Sequence, residues 1–190
     1  MLATRLRRTR RRGLTAVESA LVLSVFLMLL FGMFEYCRFL MVLHVTNNAT
    51  RDGARYAVVN ADKPATFDDT DYTDATGRVY DSIQKYTAAR MGGVQKNIEG
   101  FQVAAYAVDP TGLTLTPPVV RPKAKAGAPA GTYPDPFNSS DPNAVAWNSA
   151  AFTEKIAVTV NGTYRPLLPS LLFMPNTISV NTTSIMGSEG

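Results

Sequence analysis

One cysteine and one histidine occur in 190 residues. Cys37 has no second cysteine to pair with, so the chain is stable without an internal disulfide or bridges to another chain. As a lone thiol near the end of an apolar segment it is expected to pack as a small hydrophobe. His44 has no cysteine or histidine at ligand spacing, so a packed or snorkelling side chain is expected. A Ser-His-Asp or Cys-His arrangement cannot be built around any other position, and zinc has too few soft ligands. Asp69, Asp71 and Asp74 lack the order and terminal glutamate of an EF-hand. Carboxylates are plentiful but ungrouped. No catalytic residue, metal or cofactor is expected, and the chain is not read as an enzyme.

Charge and proline are missing from one long stretch. Ala20 to Phe34 holds no charged residue, and no proline occurs between Leu14 and Lys63. The 21 residues from Leu14 to Phe34 contain one ionisable group, Glu18. At about 1.5 Å per residue, such a helix matches a hydrocarbon core of roughly 30 Å. Small residues in an Ala-x-Ala pattern are absent after the apolar run, where Phe34, Glu35, Tyr36, Cys37 and Arg38 follow instead. A conventional secretory signal is therefore a poor fit. So is a lipoprotein signal, because bulky residues precede Cys37.

What is present is a basic leader. Arg5, Arg7, Arg8, Arg10, Arg11 and Arg12 stop at Gly13. By the positive-inside rule the N-terminus stays in the cytoplasm and the bulk of the chain is exported. Without these six arginines, thirteen basic residues face fifteen acidic ones, so the basic character belongs to the leader. Nucleic acid is accordingly not an expected partner. Glu18 inside the apolar run asks for a functional reason, since an acid at the bilayer centre costs about 2.5–3.5 kcal/mol on insertion scales. Cleavage between Gly13 and Leu14 would supply one, by creating an amine on Leu14 close to Glu18.

From Glu35 the pattern becomes amphipathic, with Phe39, Leu40, Leu43 and Val45 apolar and Arg38, Asn47, Asn48, Arg51, Asp52 and Arg55 polar. The helix is expected to run on to about Val58, with Asp52 and Arg55 spaced to pair. Ala61–Ala75 is acidic and turn-rich. Thr76–Met91 reads as a second helix stopped by Gly92 and Gly93. Alternation predicts strands at Phe101–Ala107, at Lys155–Tyr164 and at Asn176–Ile185. Residues 110–142 hold eight of the twelve prolines and read as a long irregular insertion. Trp147 and Phe152 are expected to re-enter the core. The apolar loop from Tyr164 to Pro175, through Leu171, Leu172 and Phe173, is expected to dock on the long helix. The fold class is α+β: a long N-terminal transmembrane and protruding helix packed on a small, mainly antiparallel sheet of about three strands, with one further helix.

The stretch Gly13-Leu14-Thr15-Ala16-Val17-Glu18 resembles a class III prepilin cleavage region. Residues from Arg12 to Tyr56 resemble the TadE-like family of minor pseudopilins of tight-adherence pili. The matching pieces include Ala16-Val17-Glu18, Leu30-Phe31-Gly32, Phe34-Glu35-Tyr36 with Arg38, and Ala49-Thr50-Arg51-Asp52-Gly53-Ala54-Arg55-Tyr56. Ser19, Ser24 and Cys37 depart from the usual Phe, Pro and Gly, and Ser24 in place of Pro implies a straighter rod. The resemblance implies a precursor cut between Gly13 and Leu14 by a prepilin peptidase. It implies a register-setting pairing of Glu18 with a neighbour's terminal amine, and a family motif at Glu35, Arg38, Arg51, Asp52 and Arg55. Its implied partners are the peptidase, other pilin or pseudopilin subunits, the pilus assembly platform and the membrane, crossed once. The expected organisation is a leader over 1–13, a transmembrane helix over 14–34, its continuation over 35–60, and an exported domain over 61–190. Its expected place is the inner membrane or a surface pilus. The alternative is an uncleaved single-pass anchor carrying a periplasmic binding or scaffold domain.

Overall fold

The computed structural model describes residues 12–138, 140–151, 153–170 and 174–187. The arginines before Arg12, and Phe152, Leu171, Leu172 and Phe173, lie outside the described residues. The chain is α+β. Its elements run α1 (Arg12–Val59), β1 (Tyr72–Thr73), β2 (Val79–Tyr80), α2 (Ile83–Arg90), β3 (Ile98–Ala107), a single turn α3 (Pro110–Leu113), β4 (Lys155–Tyr164) and β5 (Ile178–Gly187).

Helix α1 is 48 residues long, which spans about 72 Å at 1.5 Å per residue. The absence of proline permits this continuity, and Gly32 and Gly53 do not interrupt it. Ser24 donates its hydroxyl to the Ala20 carbonyl at 2.8 Å, a local bond that leaves the helix whole. The helix divides into two unlike halves. From Ala16 to Phe34 no residue is buried, and Leu21, Val22, Phe26, Leu29, Met33 and Phe34 stand exposed. From Glu35 onward one stripe is buried: Glu35, Val42, Thr46, Ala49, Thr50, Ala54 and Ala57. Glu35 and Val42 are seven residues apart, two turns, and the later positions follow at intervals of one, three or four, so all lie on one helix face.

The second half of α1 lies across a three-stranded antiparallel meander in the order β3-β4-β5. Strand β4 is central and pairs along its whole length with β5, from Lys155 opposite Gly187 to Tyr164 opposite Ile178. Period-two alternation puts Ile156, Val158, Val160 and Tyr164 on the face toward α1. One core cluster joins Ala54 and Ala57 to Phe67, Ile83, Val103, Trp147, Ile156, Val158 and Val160. A second, nearer the bare half of the helix, joins Val42 and Ala49 to Met91, Ile98, Tyr164 and Val180. The opposite sheet face is polar at its centre, where the hydroxyls of Tyr106, Thr159 and Thr183 form a chain of 3.0 and 2.7 Å contacts. A third cluster of Tyr106, Val108 and Ala157 closes one end of that face, with Leu113 and Val120 packed on it.

Four expectations are corrected. The second helix begins at Ile83, not Thr76, because Asp74 and Gly77 make a turn first. Asp74 accepts hydrogen bonds from the amides of Thr76 and Arg78, and Gly77 takes a φ of 82°. The chain there forms the β1–β2 hairpin, and Ser82 caps α2 by accepting from the Lys85 amide. Asp52 pairs with Arg90 of α2 at 3.9 Å, and no ion pair joins it to Arg55 among the described residues. Cys37 is exposed, because it falls on the helix face turned from the sheet. The proline-rich segment is irregular but anchored: Val108 bridges Pro122, and Ala124 bridges Ala144. Trp147 is buried and donates from Nε1 to the Ala65 carbonyl at 2.9 Å. Tyr164, the last residue of β4, packs on α1, but in the loop after it Leu167 and Leu168 do not dock there and remain exposed.

Candidate functional site

The functional candidates all lie along α1, and the structure separates them into two groups. The first occupies the bare half. Gly13 and Leu14 belong to the first turn of the helix. Glu18 is exposed one turn further on, and forms no ion pair among the described residues. Leu14 and Glu18 are four residues apart and therefore share a helix face. Val22 and Phe26 continue that face at the same interval, so one carboxylate heads an apolar stripe. In lipid or between apolar helices such a carboxylate needs a cation, because an unpaired buried charge is costly.

The second group sits where the helix meets the sheet. Glu35 is only 5% exposed. Its Oε1 accepts a 2.5 Å hydrogen bond from the Tyr164 hydroxyl, across 129 residues of sequence. Arg38, one turn along, places Nη1 3.9 Å from the same Oε1 and its guanidinium carbon 5.4 Å from the Tyr164 ring centroid. Arg38 Nη2 donates to Asn97 Oδ1 at 3.4 Å, in the turn just before β3. Phe39 packs its ring 5.4 Å from that of Tyr164. Burial, then the bond to Glu35, pushes the Tyr164 hydroxyl up to about 12, so it stays a proton donor at any physiological pH. One tyrosine at the end of β4 thus engages three residues of α1.

The remaining motif residues do other work. Arg51 and Arg55 are exposed. Asp52 reaches α2 through Arg90. Gly53 is needed for close approach, because a Cβ built there would overlap the Thr87 hydroxyl of α2. Above it, Tyr56 stacks on Tyr86 with centroids 4.0 Å apart, and donates its hydroxyl to the Asp81 carbonyl. The stretch Arg51–Tyr56 therefore joins α1 to α2, a role the sequence pattern alone did not assign. Tyr164 was also missed as a partner for Glu35, since nothing local in the sequence links them. Among the described residues no cluster of three or more potential metal ligands exists.

The described residues contain one helix long and apolar enough to cross a membrane, Ala16–Val59. Residues 13–55 match the family model for TadE-like proteins, just under a quarter of the chain. No curated protein and no solved structure matches the chain. The family match and the bare apolar half together point to a membrane-anchored, Tad pilus-associated protein with an N-terminal membrane-spanning helix.

Proposed function

We propose that this chain, whose first helix carries the TadE-like stretch, is a minor pseudopilin processed between Gly13 and Leu14 by a prepilin peptidase. The observation that carries the reading is the division of α1. One half offers an apolar surface to lipid or to other helices, and the other half is fixed to a folded head. A subunit that leaves a membrane for a helical bundle needs both. It needs a lateral surface that exchanges lipid for protein, and a head held rigidly enough to transmit position.

On this reading Glu18 sets axial register. Removing residues 1–13 leaves an amine at Leu14, and a neighbour's amine neutralises Glu18 when the two helices are in step. A misaligned neighbour leaves the carboxylate unpaired among apolar side chains, which costs several kcal/mol. The peptidase brings the catalytic groups, and this chain is its substrate. The arginine leader holds the N-terminus in the cytoplasm by the positive-inside rule, and the head is exported. Other pilin or pseudopilin subunits and the assembly platform are the partners. Glu35 and Arg38 then act as the fixing point between the membrane helix and the head.

N-terminal sequencing of membrane and sheared-filament fractions, with and without the host's prepilin peptidase, tests this. A peptidase-dependent start at Leu14 supports a pilin-like precursor, and the fraction holding it separates filament subunit from membrane-retained assembly factor. An intact Met1, with the peptidase active on other substrates, overturns processing and leaves an uncleaved anchor bearing a scaffold domain.

A further inference from the structure

Strand β3 lies at an edge of the sheet, and its outer side is only half used. The Val108 amide donates inward, to the Lys155 carbonyl of β4, at 2.8 Å. Alternation along the strand therefore turns the backbone groups of Val103, Ala105 and Ala107 outward. At the far end those groups are satisfied by the chain itself: Lys123 N–H donates to the Ala107 carbonyl and Asp109 N–H to the Arg121 carbonyl, both at 2.8 Å. The proline-rich insertion makes a single isolated bridge there, between Val108 and Pro122. It then turns away. Among the described residues the outward amide and carbonyl of Val103 and of Ala105 have no backbone partner.

These groups are not open to bulk solvent on a flat surface. They border a cleft of about 780 Å³ that runs beside Phe101–Ala104, between Asp68–Asp71, α2 and the Pro136–Phe137 corner of the insertion. A second hollow of about 320 Å³ beside Ala105–Ala107 shares Asp68, Asp69 and Pro136 with the first. The two follow one strand edge. The cleft is also negative. Lys85 is taken up by Asp71 and Asp81, and Lys123 by Glu154. Asp68 and Asp69 have no cationic partner among the described residues. Burial and the neighbouring Asp69 raise the Asp68 carboxyl above its ordinary value, as expected where a countercharge is lacking.

We infer that the Val103–Ala105 edge takes an extended, basic segment of a partner protein as an added strand, with Asp68 and Asp69 reading its positive charge. Strand addition supplies affinity through main-chain hydrogen bonds, and side-chain pockets on alternate residues supply selectivity. Edge-to-edge pairing with a second copy of this chain does not fit the charge. Its own edge strands, β3 and β5, contain neither lysine nor arginine. The inference does not depend on processing at Gly13 or on where the chain resides in a filament.

The test uses the full chain in detergent micelles. The probe is a fluorescent eight-residue peptide of alternating valine and lysine, beside the same peptide with glutamate for lysine. Binding of the lysine peptide alone is expected, weakening as salt is raised. Amide hydrogen exchange at Val103 and Ala105 is expected to slow at least tenfold with the peptide bound. Asp69→Asn, an exposed change, and Asp68→Asn with Asp69→Asn should raise Kd stepwise, the pair by about tenfold for lost charge complementarity. Failure of the lysine peptide to bind, equal binding of both peptides, or binding without slowed exchange at these amides would each overturn the inference. So would slowed exchange that follows chain concentration without peptide, which would make the occupant a second copy.

Discussion

Tyr164 shows how one side chain can gather several contacts at the point where α1 leaves the head. Its hydroxyl sits on Glu35, its ring under Arg38 and against Phe39. Tyr164→Phe keeps the ring packing but leaves a buried carboxylate short of a donor, which costs roughly 1–3 kcal/mol. Glu35→Gln, which still accepts from the hydroxyl, should cost less. A double-mutant cycle by chemical denaturation should return a coupling energy between them; additive losses would show that the pair is not a unit. Asp71 carries a different signature. The bond from Lys85, then the Ser82 amide, holds its carboxyl below the ordinary 3.8. A depressed folded value means the contribution is present above the unfolded value and fades as pH falls through the folded one. Asp71→Asn should therefore lower Tm at pH 7 and flatten the loss of Tm between about pH 5 and 3, read by circular dichroism; parallel curves would contradict this. Of these contacts, the sequence offered Glu35 and Arg38 as a motif but not what they meet, because Tyr164 lies at the far end of β4.

At the scale of elements, local periodicity carried the reading where burial and pattern agree. Strand β4 alternates Ile156, Val158 and Val160 toward α1, and its bounds follow from that alone. The β3 register was harder to read, because Gly100, at a φ of 62°, lets the strand bulge between Glu99 and Gln102. Val79 sits at helical spacing from Ile83 and so suggests an earlier start for α2, but the Asp74–Gly77 turn is a stronger local preference. The α1–α2 contact depends on small residues. Gly53→Ala gains helix propensity of about 1 kcal/mol yet forces its Cβ into Thr87. A net loss of roughly 1–3 kcal/mol is expected from overpacking. Thr87→Ala in the same chain should recover most of it. Equal stability of Gly53→Ala and the unaltered chain would mean α2 yields without cost.

For the whole molecule, the head owes nothing to the bare half of α1. The core clusters begin at Phe39 and Val42, and every residue from Ala16 to Ser19 is exposed. A chain starting at Phe34 should stay in solution without detergent and melt within a few degrees of the full chain in micelles. Aggregation or a large fall in Tm would mean that the apolar half supports the head. Composition made this split legible: charge vanishes over Ala20–Phe34 and returns at Glu35. The binding edge of β3 was not legible, since an open strand edge is a property of sheet order and of where a proline-rich insertion turns away.

The rigid seating of α1 on the sheet also gives the molecule a handed shape. Glu18 and Glu35 are seventeen residues apart on one continuous helix. At 3.6 residues per turn, Glu18 points about 100° around the axis from the face that carries the head. A subunit that turns Glu18 toward the axis of a bundle thereby swings its head sideways, by close to a right angle, rather than straight outward. Every copy swings the same way, so the heads would overhang their neighbours in one rotational sense. Two residues inserted between Phe34 and Glu35 would turn the head by about 200° and reverse that overhang, while lengthening the stalk by only about 3 Å.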